Sequence, residues 1–209
     1  MANLPIDMYP EAIQVNVQDV LSCVLDGCKP SVFRMLGKEI EMHYVCCLYR
    51  LRDREIKAYY NTNMEIRSNP PPIIQSIQKT VEDLTGEEYT YVLVNVYRDG
   101  TDFLGYHRDK ESLDGPIASL SLGATRRFLV REDATKEIST YHLHHGDLLL
   151  MRRGCQRKYK HSIPKMSVSD LVDHLTSHNI PIPKKKTLAN LHEATKETLP
   201  VRVNLTFRY

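Results

Sequence analysis

The sequence lacks the features that mark secreted, membrane-spanning and zinc-binding proteins. No apolar run approaches the roughly 18 residues that a membrane span needs, and the first residues hold no basic stretch followed by an apolar run, so no secretory signal is expected. The five cysteines are odd in number and form no C-x-x-C pair, which argues against zinc and fits a reducing compartment. We expect an intracellular protein, nuclear or cytoplasmic, without membrane attachment.

The 209 residues fit one domain with a sizeable core. Apolar residues at helical spacing predict helices over Glu11–Cys28 and Pro72–Leu84, the second starting at a proline and ending just before Gly86. The segment Val32–Arg67, rich in Tyr, Val and Ile, predicts hairpins. After Gly86, short segments predict seven strands: Tyr89–Tyr97, Phe103–Asp109, Pro116–Leu122, Arg127–Arg131, Glu137–His144, Asp147–Met151 and Val201–Tyr209.

Many short strands behind a few helices indicate an α+β protein built as a double-sheet roll. We expect a single domain over 1–209 and a monomer, with N-terminal helices and hairpins in 1–86 and the sheet core in 87–209. The stretch Lys165–Pro200 interrupts the strands with two helix-like pieces, Ser167–His178 and Leu188–Glu197. It predicts a helical insertion at the surface.

His107 and Asp109 lie two residues apart in a predicted strand, so their side chains point to the same face. With His161 they supply two imidazoles and one carboxylate. This set leaves half of an octahedral coordination sphere open for substrate and dioxygen, which favours iron(II). Alone, an H-x-D pair is a weak signal, since such pairs are common by chance and an exposed polar strand face explains one better.

The last predicted strand has one apolar face and one polar face. The polar face consists of Arg202, Asn204, Thr206 and Arg208. The two guanidinium groups are about 20 Å apart at full extension, so they could hold opposite ends of a dianion, and the planar Arg fork suits carboxylate. A solvated polar face is the alternative. Asn95 and Tyr97 form a similar polar pair within an apolar strand, so the pairs together fit an iron(II) site beside a dicarboxylate.

These motifs resemble the signature of the AlkB family of Fe(II)/2-oxoglutarate-dependent dioxygenases. The likeness covers roughly Leu36 to Tyr209 and is greatest to the nucleic-acid alkylation-repair members, over Pro116–Arg126 and the last strand. It implies a double-stranded β-helix (jelly-roll) core, flanking helices on one side and an N-terminal hairpin region that recognises the nucleotide.

The resemblance also implies roles for single residues. The iron ligands would be His107, Asp109 and His161. The distal carboxylate of 2-oxoglutarate would be held by Arg202, Asn204 and Tyr97, and the metal-chelating end by Arg208 and Asn95. With Fe(II), 2-oxoglutarate and O2, such an enzyme hydroxylates a methyl group on a base nitrogen of DNA or RNA and releases formaldehyde, succinate and carbon dioxide.

Substrate contacts are suggested by three features. In the family an acidic residue just after the iron-binding pair contacts the base, and Glu111 has that position, although an exposed loop acid is the alternative. Tyr60, next to Tyr59, could stack on a flipped base or pack in the core. Because the net charge is only +2, contact with nucleic acid must be argued from where cations sit. The cations just before His161 predict contacts with backbone phosphates, and a solvated loop is the alternative. These cations are Arg152, Arg153, Arg157 and Lys158.

Two regions depart from the family pattern and leave other functions open. Glu41–Arg50 lacks the Pro-Arg and aromatic-Gly elements of the nucleotide lid, so a protein, lipid or small molecule remains an alternative substrate. A non-catalytic nucleic-acid-binding relic is a further alternative. The insertion lengthens the gap before Arg202, and its residues Asp170, His174 and His178 share a helical face that predicts either a second metal site or an ordinary polar face.

Overall fold

The computed structural model describes residues 4–35, 38–56 and 65–209. Within them lie the strands β1 (Ile6–Tyr9), β2 (Lys29–Met35), β3 (Lys38–Arg50), β4 (Ile66–Arg67), β5 (Tyr91–Tyr97), β6 (Leu104–His107), β7 (Ile117–Gly123), β8 (Arg126–Glu132), β9 (Ile138–Leu143), β10 (Leu148–Met151), β11 (Tyr159–Ile163) and β12 (Arg202–Arg208). The helices are α1 (Val17–Val24), α2 (Pro72–Thr85), α3 (Cys155–Lys158), α4 (Val168–Ser177) and α5 (Leu188–Thr195). None of the described helices has the length and apolarity needed to cross a membrane.

The strands form two sheets. The larger has the order β1-β10-β7-β12-β5-β3-β2, with β4 beside β3, and the smaller has the order β6-β11-β8-β9. Every pairing is antiparallel except that of β3 with β4. Two antiparallel sheets with a few helices confirm the predicted α+β jelly roll.

The larger sheet is covered on both faces, as its central strand β12 shows. Val203, Leu205 and Phe207 belong to a core shared with α1 and α2. A second core fills the space between the two sheets and includes Phe128 of β8 and Tyr159 of β11. Because alternate residues of a strand face opposite sides, the polar residues of β12 point away from the helices and into the space between the sheets.

Local capping sets the bounds of the first two helices. Pro72 suits the first turn of α2, and the helix ends at Gly86, whose φ of 67° is accessible to glycine at little cost. α1 starts at Val17 rather than at the predicted Glu11. The reason is Asn16, which is extended and whose side chain accepts a hydrogen bond of 2.9 Å from the second helical N–H.

The seven strands predicted after Gly86 are present, with ends shifted by at most two residues. Two strands had no prediction: β1, which pairs with β10 at one end of the larger sheet, and β11, which bears His161. In β11 a lysine and a histidine break the apolar pattern, because part of the strand faces a polar site instead of the core.

The helices α4 and α5 lie between β11 and β12 and share a small core of their own. Its buried members are Met166, Leu171, Leu175 and Leu191. Ser167 and Asp170 form a capping box at the start of α4. Asp170 also pairs with Arg127 of β8 at 3.0 Å, which ties this helical pair to the smaller sheet.

Candidate iron and 2-oxoglutarate site

Three potential metal ligands meet where β6 and β11 pair. His107 ends β6 and lies opposite His161 of β11, and Asp109 follows just outside the strand. The Nε2 atoms of His107 and His161 lie 3.7 and 3.6 Å from carboxylate oxygens of Asp109. One ligand atom from each residue lies within 4.8 Å of the other two, so the three side chains can bind one ion together.

Neighbouring groups orient the two imidazoles. His107 Nδ1 lies 2.9 Å from the carbonyl oxygen of Gly105, so a proton on Nδ1 donates to that oxygen and leaves the lone pair of Nε2 toward Asp109. The His161 ring stacks on Phe128, with ring centroids 5.3 Å apart. Both rings are thus held with Nε2 toward the same point.

The protonation states of the ligands suit a divalent metal. Burial lowers the pKa of His161 to about 3, so its imidazole is neutral at physiological pH. Burial raises the pKa of Asp109, but Arg208 and the two histidines outweigh this effect and leave it below its ordinary value. Asp109 is therefore ionised, and its buried Oδ2 has no hydrogen-bond partner among the described residues. A metal ion would satisfy that oxygen.

The donor set fits Fe(II), with two imidazoles and one carboxylate on one side of the ion. Across the described residues, no other group of three or more His, Cys, Asp or Glu side chains is placed to hold a metal. In α4, Asp170 is engaged by the capping box and Arg127, while the rings of His174 and His178 contact each other, with centroids 4.2 Å apart. The second metal site considered from the sequence is therefore not formed there.

The polar face of β12 connects the metal ligands with the far end of the inter-sheet space. All four of its polar side chains are buried: Arg202, Asn204, Thr206 and Arg208. At one end, the Arg208 guanidinium lies 3.0 Å from Asp109. At the other, Arg202 lies opposite Tyr97 of β5. The strand therefore places one buried guanidinium at the metal ligands and a second one farther along.

Arg202 has the environment of an anion-binding residue. It is 1% exposed, its Nη2 donates to Ser121 Oγ at 3.0 Å, and its guanidinium lies 5.0 Å from the centre of the Tyr97 ring. Its Nε and Nη1 have no hydrogen-bond partner in the described part of the chain. Burial lowers the pKa of Arg202 to about 10, which still leaves it charged at neutral pH. A buried cation with two unused donors is matched by a carboxylate.

Asn204 and Asn95, the two amide side chains predicted to contact 2-oxoglutarate, differ in the hydrogen bonds that they already form within the protein. Asn204 Nδ2 donates to Ser119 Oγ at 2.9 Å and to the Leu120 carbonyl oxygen at 2.8 Å, and its Oδ1 accepts from Thr206 at 3.2 Å. Asn95 lies opposite Asn204, and its Oδ1 has no hydrogen-bond partner among the residues described. Asn204 is thus held by the sheet, whereas Asn95 keeps hydrogen-bonding capacity for a ligand.

Glu111, the predicted base contact, lies at the metal centre. Its side chain is 5% exposed and forms an ion pair with Arg208, so it is not the exposed loop acid of the alternative interpretation. Burial and Asp109 raise the pKa of Glu111, whereas Arg208 lowers it, and the net shift is upward. Its contact with a base stays a prediction, and the other candidate, Tyr60, lies outside the described residues.

The predicted phosphate-binding cations lie at the surface. All four are exposed: Arg152, Arg153, Arg157 and Lys158. Three have acidic partners: Arg152 with Asp7 (3.5 Å), Arg153 with Glu87 (2.7 Å) and Arg157 with Asp114 (2.6 Å). Ion pairs between exposed groups contribute about 0–1 kcal/mol. A phosphate could therefore displace these acids at little cost.

Two buried polar residues at the site had no prediction from the sequence. Gln156 Oε1 accepts a 3.1 Å hydrogen bond from the N–H of Asp109 and so fixes the backbone of that ligand. Arg126 lies 5.6 Å from the Tyr97 ring and donates to three backbone carbonyl oxygens, at 3.2, 2.7 and 2.6 Å. The sequence signal that could have pointed to Gln156 is that it is an uncharged polar residue within the run of cations before His161. Arg126 ended the stretch Pro116–Arg126 that resembles the family most, but nothing in that stretch indicated which groups it would contact.

Comparison with known sequences agrees with this geometry. The family model described as the 2OG-Fe(II) oxygenase superfamily matches residues 9–208. Human DNA oxidative demethylase ALKBH2 is 31% identical over 148 residues, which cover 66% of this chain and 46% of that protein. Human alpha-ketoglutarate-dependent dioxygenase alkB homolog 3 is 34% identical over 120 residues, or 52% of this chain and 42% of that protein. The chain thus spans about half the length of the curated relatives it matches.

Solved structures show the same fold at low sequence identity. OsALKBH1 superposes with a TM-score of 0.59 and 20% identity, covering 100% of both chains. An oxidoreductase of the 2OG-Fe(II) oxygenase family from Burkholderia pseudomallei superposes with a TM-score of 0.54 and 12% sequence identity, covering 97% of this chain and 84% of that one. The match of the family model to nearly the whole chain and the cluster of two histidines and an aspartate agree on one assignment. The chain belongs to the 2OG-Fe(II) oxygenase superfamily, and within it to the AlkB family of dioxygenases that use Fe(II), 2-oxoglutarate and O2.

Proposed function

We propose that this protein removes methyl groups from base nitrogens of DNA or RNA by Fe(II)- and 2-oxoglutarate-dependent oxidation. The observation that carries the proposal is the buried polar face of β12, with Arg208 at the metal ligand Asp109 and Arg202 at its far end. This face matches a dicarboxylate that chelates a metal at one end. The relatives named as DNA oxidative demethylases support the choice of substrate.

In this proposal His107, Asp109 and His161 hold the iron from one side. When bound there with 2-oxoglutarate and O2, the iron supplies the oxidising power to hydroxylate a methyl group, with succinate and carbon dioxide as by-products. The ligands supply orientation, since both imidazoles and the carboxylate are already directed toward one point. The C–N bond of the N-hydroxymethyl product then breaks, its electron pair stays on the base nitrogen, and formaldehyde and the hydroxyl proton are released.

The residues of β12 and β5 position the co-substrate. Arg202, beside Tyr97, takes the distal carboxylate with the donors that have no partner among the described residues. Arg208 and Asn95 take the end near the metal, where Arg208 also holds Asp109 in place. Charge-assisted hydrogen bonds of these buried side chains are stronger than in water, so they fix one orientation of the co-substrate.

Glu111 is the proposed contact for the target base. Its Oε1 is engaged by Arg208, whereas its buried Oε2 has no hydrogen-bond partner among the residues that the structure describes. That oxygen can accept from the exocyclic amino group of a methylated adenine or cytosine. A base reaches such a buried position only by leaving its stack, which favours single-stranded or weakly paired substrates.

The assay that tests the function starts from anaerobic reconstitution with Fe(II) and 2-oxoglutarate. After O2 is admitted, succinate and formaldehyde are measured with oligonucleotides that contain 1-methyladenine or 3-methylcytosine. We expect formaldehyde in equal amount to the repaired base, and none from a His107→Ala variant. Succinate without oligonucleotide-dependent formaldehyde would instead favour a protein, lipid or small-molecule substrate. No succinate from folded, metal-loaded protein would favour the non-catalytic relic.

Neutralising the cations before His161 should weaken nucleic-acid binding without changing the chemistry. With Arg152, Arg153, Arg157 and Lys158 all replaced by Gln, the slope of log binding constant against log salt concentration should fall by about 1 for each phosphate that the variant no longer neutralises. Succinate formation without oligonucleotide should stay as in the wild type. The binding constants are measured by fluorescence anisotropy across a salt series.

A matched control removes charge elsewhere on the surface. Lys184, Lys185 and Lys186 are exposed in the segment between α4 and α5. Their replacement by Gln should leave the salt slope unchanged. If the two multiple variants lower the slope equally, the stretch 152–158 makes no specific phosphate contact and the effect is one of net charge only.

A further inference from the structure

Cys28 and Cys47 lie side by side, although the sequence contains no C-x-x-C motif. Their Sγ atoms are 3.2 Å apart. The antiparallel register of β2 with β3 places Lys29 opposite Cys46; one step further along both strands, Cys28 stands opposite Cys47. Side chains directly opposite in such a pair share one face of the sheet. Since a disulfide has an S–S distance of about 2.0 Å, closing the pair needs a movement of roughly 1 Å and no change of register.

We propose that Cys28 and Cys47 are a redox modification site that closes to a reversible disulfide on exposure to peroxide. The pair is separate from the iron site, since it lies at the junction of α1 and β2 and on β3. In a reducing compartment it is a dithiol, the form that the structure shows.

The surroundings of the pair favour a thiolate, the reactive form of cysteine. Hydrogen bonding from Cys28 lowers the pKa of Cys47, and the Tyr49 hydroxyl and the positive charge of Arg67 act in the same direction. The same hydrogen bond raises the pKa of Cys28. The shared proton thus stays preferentially on Cys28, and the positive charge of Arg67 favours the thiolate form of Cys47.

The remaining thiols serve as comparisons. Burial raises the pKa of Cys155 to about 12, which makes it unreactive. Cys23 is exposed on α1 and reports the reactivity of an ordinary accessible thiol. Within the pair, Cys28 is half-buried and Cys47 is 2% exposed. This burial favours a small oxidant such as a peroxide over a protein oxidant.

The reaction balances with hydrogen peroxide as the oxidant. A thiolate of the pair attacks one peroxide oxygen, the O–O bond breaks, and the released hydroxide takes a proton to form water, leaving a sulfenic acid. The second sulfur then attacks the sulfenic sulfur, the S–S bond forms, and hydroxide leaves and is protonated to a second water. Two thiols are oxidised by two electrons and one peroxide is reduced. A small thiol such as dithiothreitol reverses the reaction by exchange.

The disulfide would tie the end of α1 to the strand that borders β5. It closes a loop of about 20 residues, for which the chain-entropy relation and the usual dependence of melting temperature on stability give a rise of about 7–13 °C. Because Cys46 lies opposite Asn95, the closed form would also stiffen the sheet beside the proposed 2-oxoglutarate site.

The test uses the full chain, reduced and freed of metal so that iron-catalysed oxidation does not interfere. The protein is treated with graded hydrogen peroxide, alkylated under denaturing conditions, digested and mapped by mass spectrometry. We expect a cross-linked peptide, two hydrogens lighter, that joins Cys28 to Cys47 and disappears after dithiothreitol. It should form at peroxide concentrations that leave Cys155 fully alkylatable, together with the rise in melting temperature.

Serine variants assign the bond. Cys28→Ser and Cys47→Ser should each abolish the cross-link and the thermal shift, whereas Cys46→Ser and Cys155→Ser should keep both. The proposal is overturned if Cys28 and Cys47 remain alkylatable at peroxide concentrations that oxidise Cys23. It is equally overturned if the cross-link joins Cys23 to either of them. Neither result depends on the demethylase function, which is assayed separately.

Discussion

An Asp109→Ala variant is expected to bind Fe(II) at least about 100-fold more weakly than the wild type, because even loss of an outer-shell partner typically costs 10–100-fold. Asp109 supplies the carboxylate of the ligand set, and its buried Oδ2 has no hydrogen-bond partner within the described ranges. The substitution also removes one of the two acids paired with Arg208, which lies 3.0 Å from Asp109 and also contacts Glu111. The affinity is measured by anaerobic titration with Fe(II), and turnover should fall with it by more than about 10³-fold.

The matched control is Asp114→Asn, which removes a carboxylate from an exposed ion pair with Arg157. It should leave the Fe(II) affinity unchanged. Asp109→Asn adds a second comparison, because it keeps the shape of the side chain but removes the charge that balances the metal. If Asp109→Ala binds Fe(II) as tightly as the wild type does, the ligand assignment is wrong, whatever happens to the activity.

The parts of the candidate site that could be predicted from the sequence are local pairs on strands. The alternation of β12 predicted which side chains share a face, and the structure buries all four polar ones between the sheets. For His107 and Asp109 the alternation rule predicted the correct outcome, but strand geometry explains only the position of His107. Asp109 lies beyond the end of β6, at φ −83° and ψ 90°. Its position is fixed by its N–H bond to Gln156, a contact across the fold that no local pattern shows.

Features that depend on long-range contacts could not be read from the sequence. The run of cations before His161 gave no sign of its acidic partners, which come from distant parts of the chain. Glu111 could not be placed against Arg208 from local sequence, since 97 positions separate them. The pairing of Cys28 with Cys47 likewise follows from the register of two strands and not from a motif. The end of α2 was predicted to within one residue, because its cap Gly86 acts within a single turn.

An Arg202→Met variant should lose 2-oxoglutarate binding while the ligand-free protein stays as stable as the wild type or becomes more stable. Truncating one partner of a buried charge pair typically costs about 3–5 kcal/mol, which corresponds to roughly 150- to 4,000-fold in the KM for 2-oxoglutarate. Without ligand, however, Arg202 is a buried cation whose Nε and Nη1 have no hydrogen-bond partner among the described residues. Methionine of similar length removes that desolvation cost, so the melting temperature should not fall.

Both quantities are measured on one preparation, by succinate formation against 2-oxoglutarate concentration and by thermal unfolding with and without 2-oxoglutarate. Arg127→Met is the matched control, since Arg127 pairs with Asp170 at the outer side of the smaller sheet and should leave the KM unchanged. Arg202→Lys keeps the charge but not the planar fork and should lie between the two. A large drop in melting temperature with an unchanged KM would make Arg202 a structural residue. If Arg202 serves to bind 2-oxoglutarate, Arg202→Met should lower the affinity for 2-oxoglutarate without lowering the stability of the ligand-free protein. If Arg202 served only the fold, its removal should lower the stability instead.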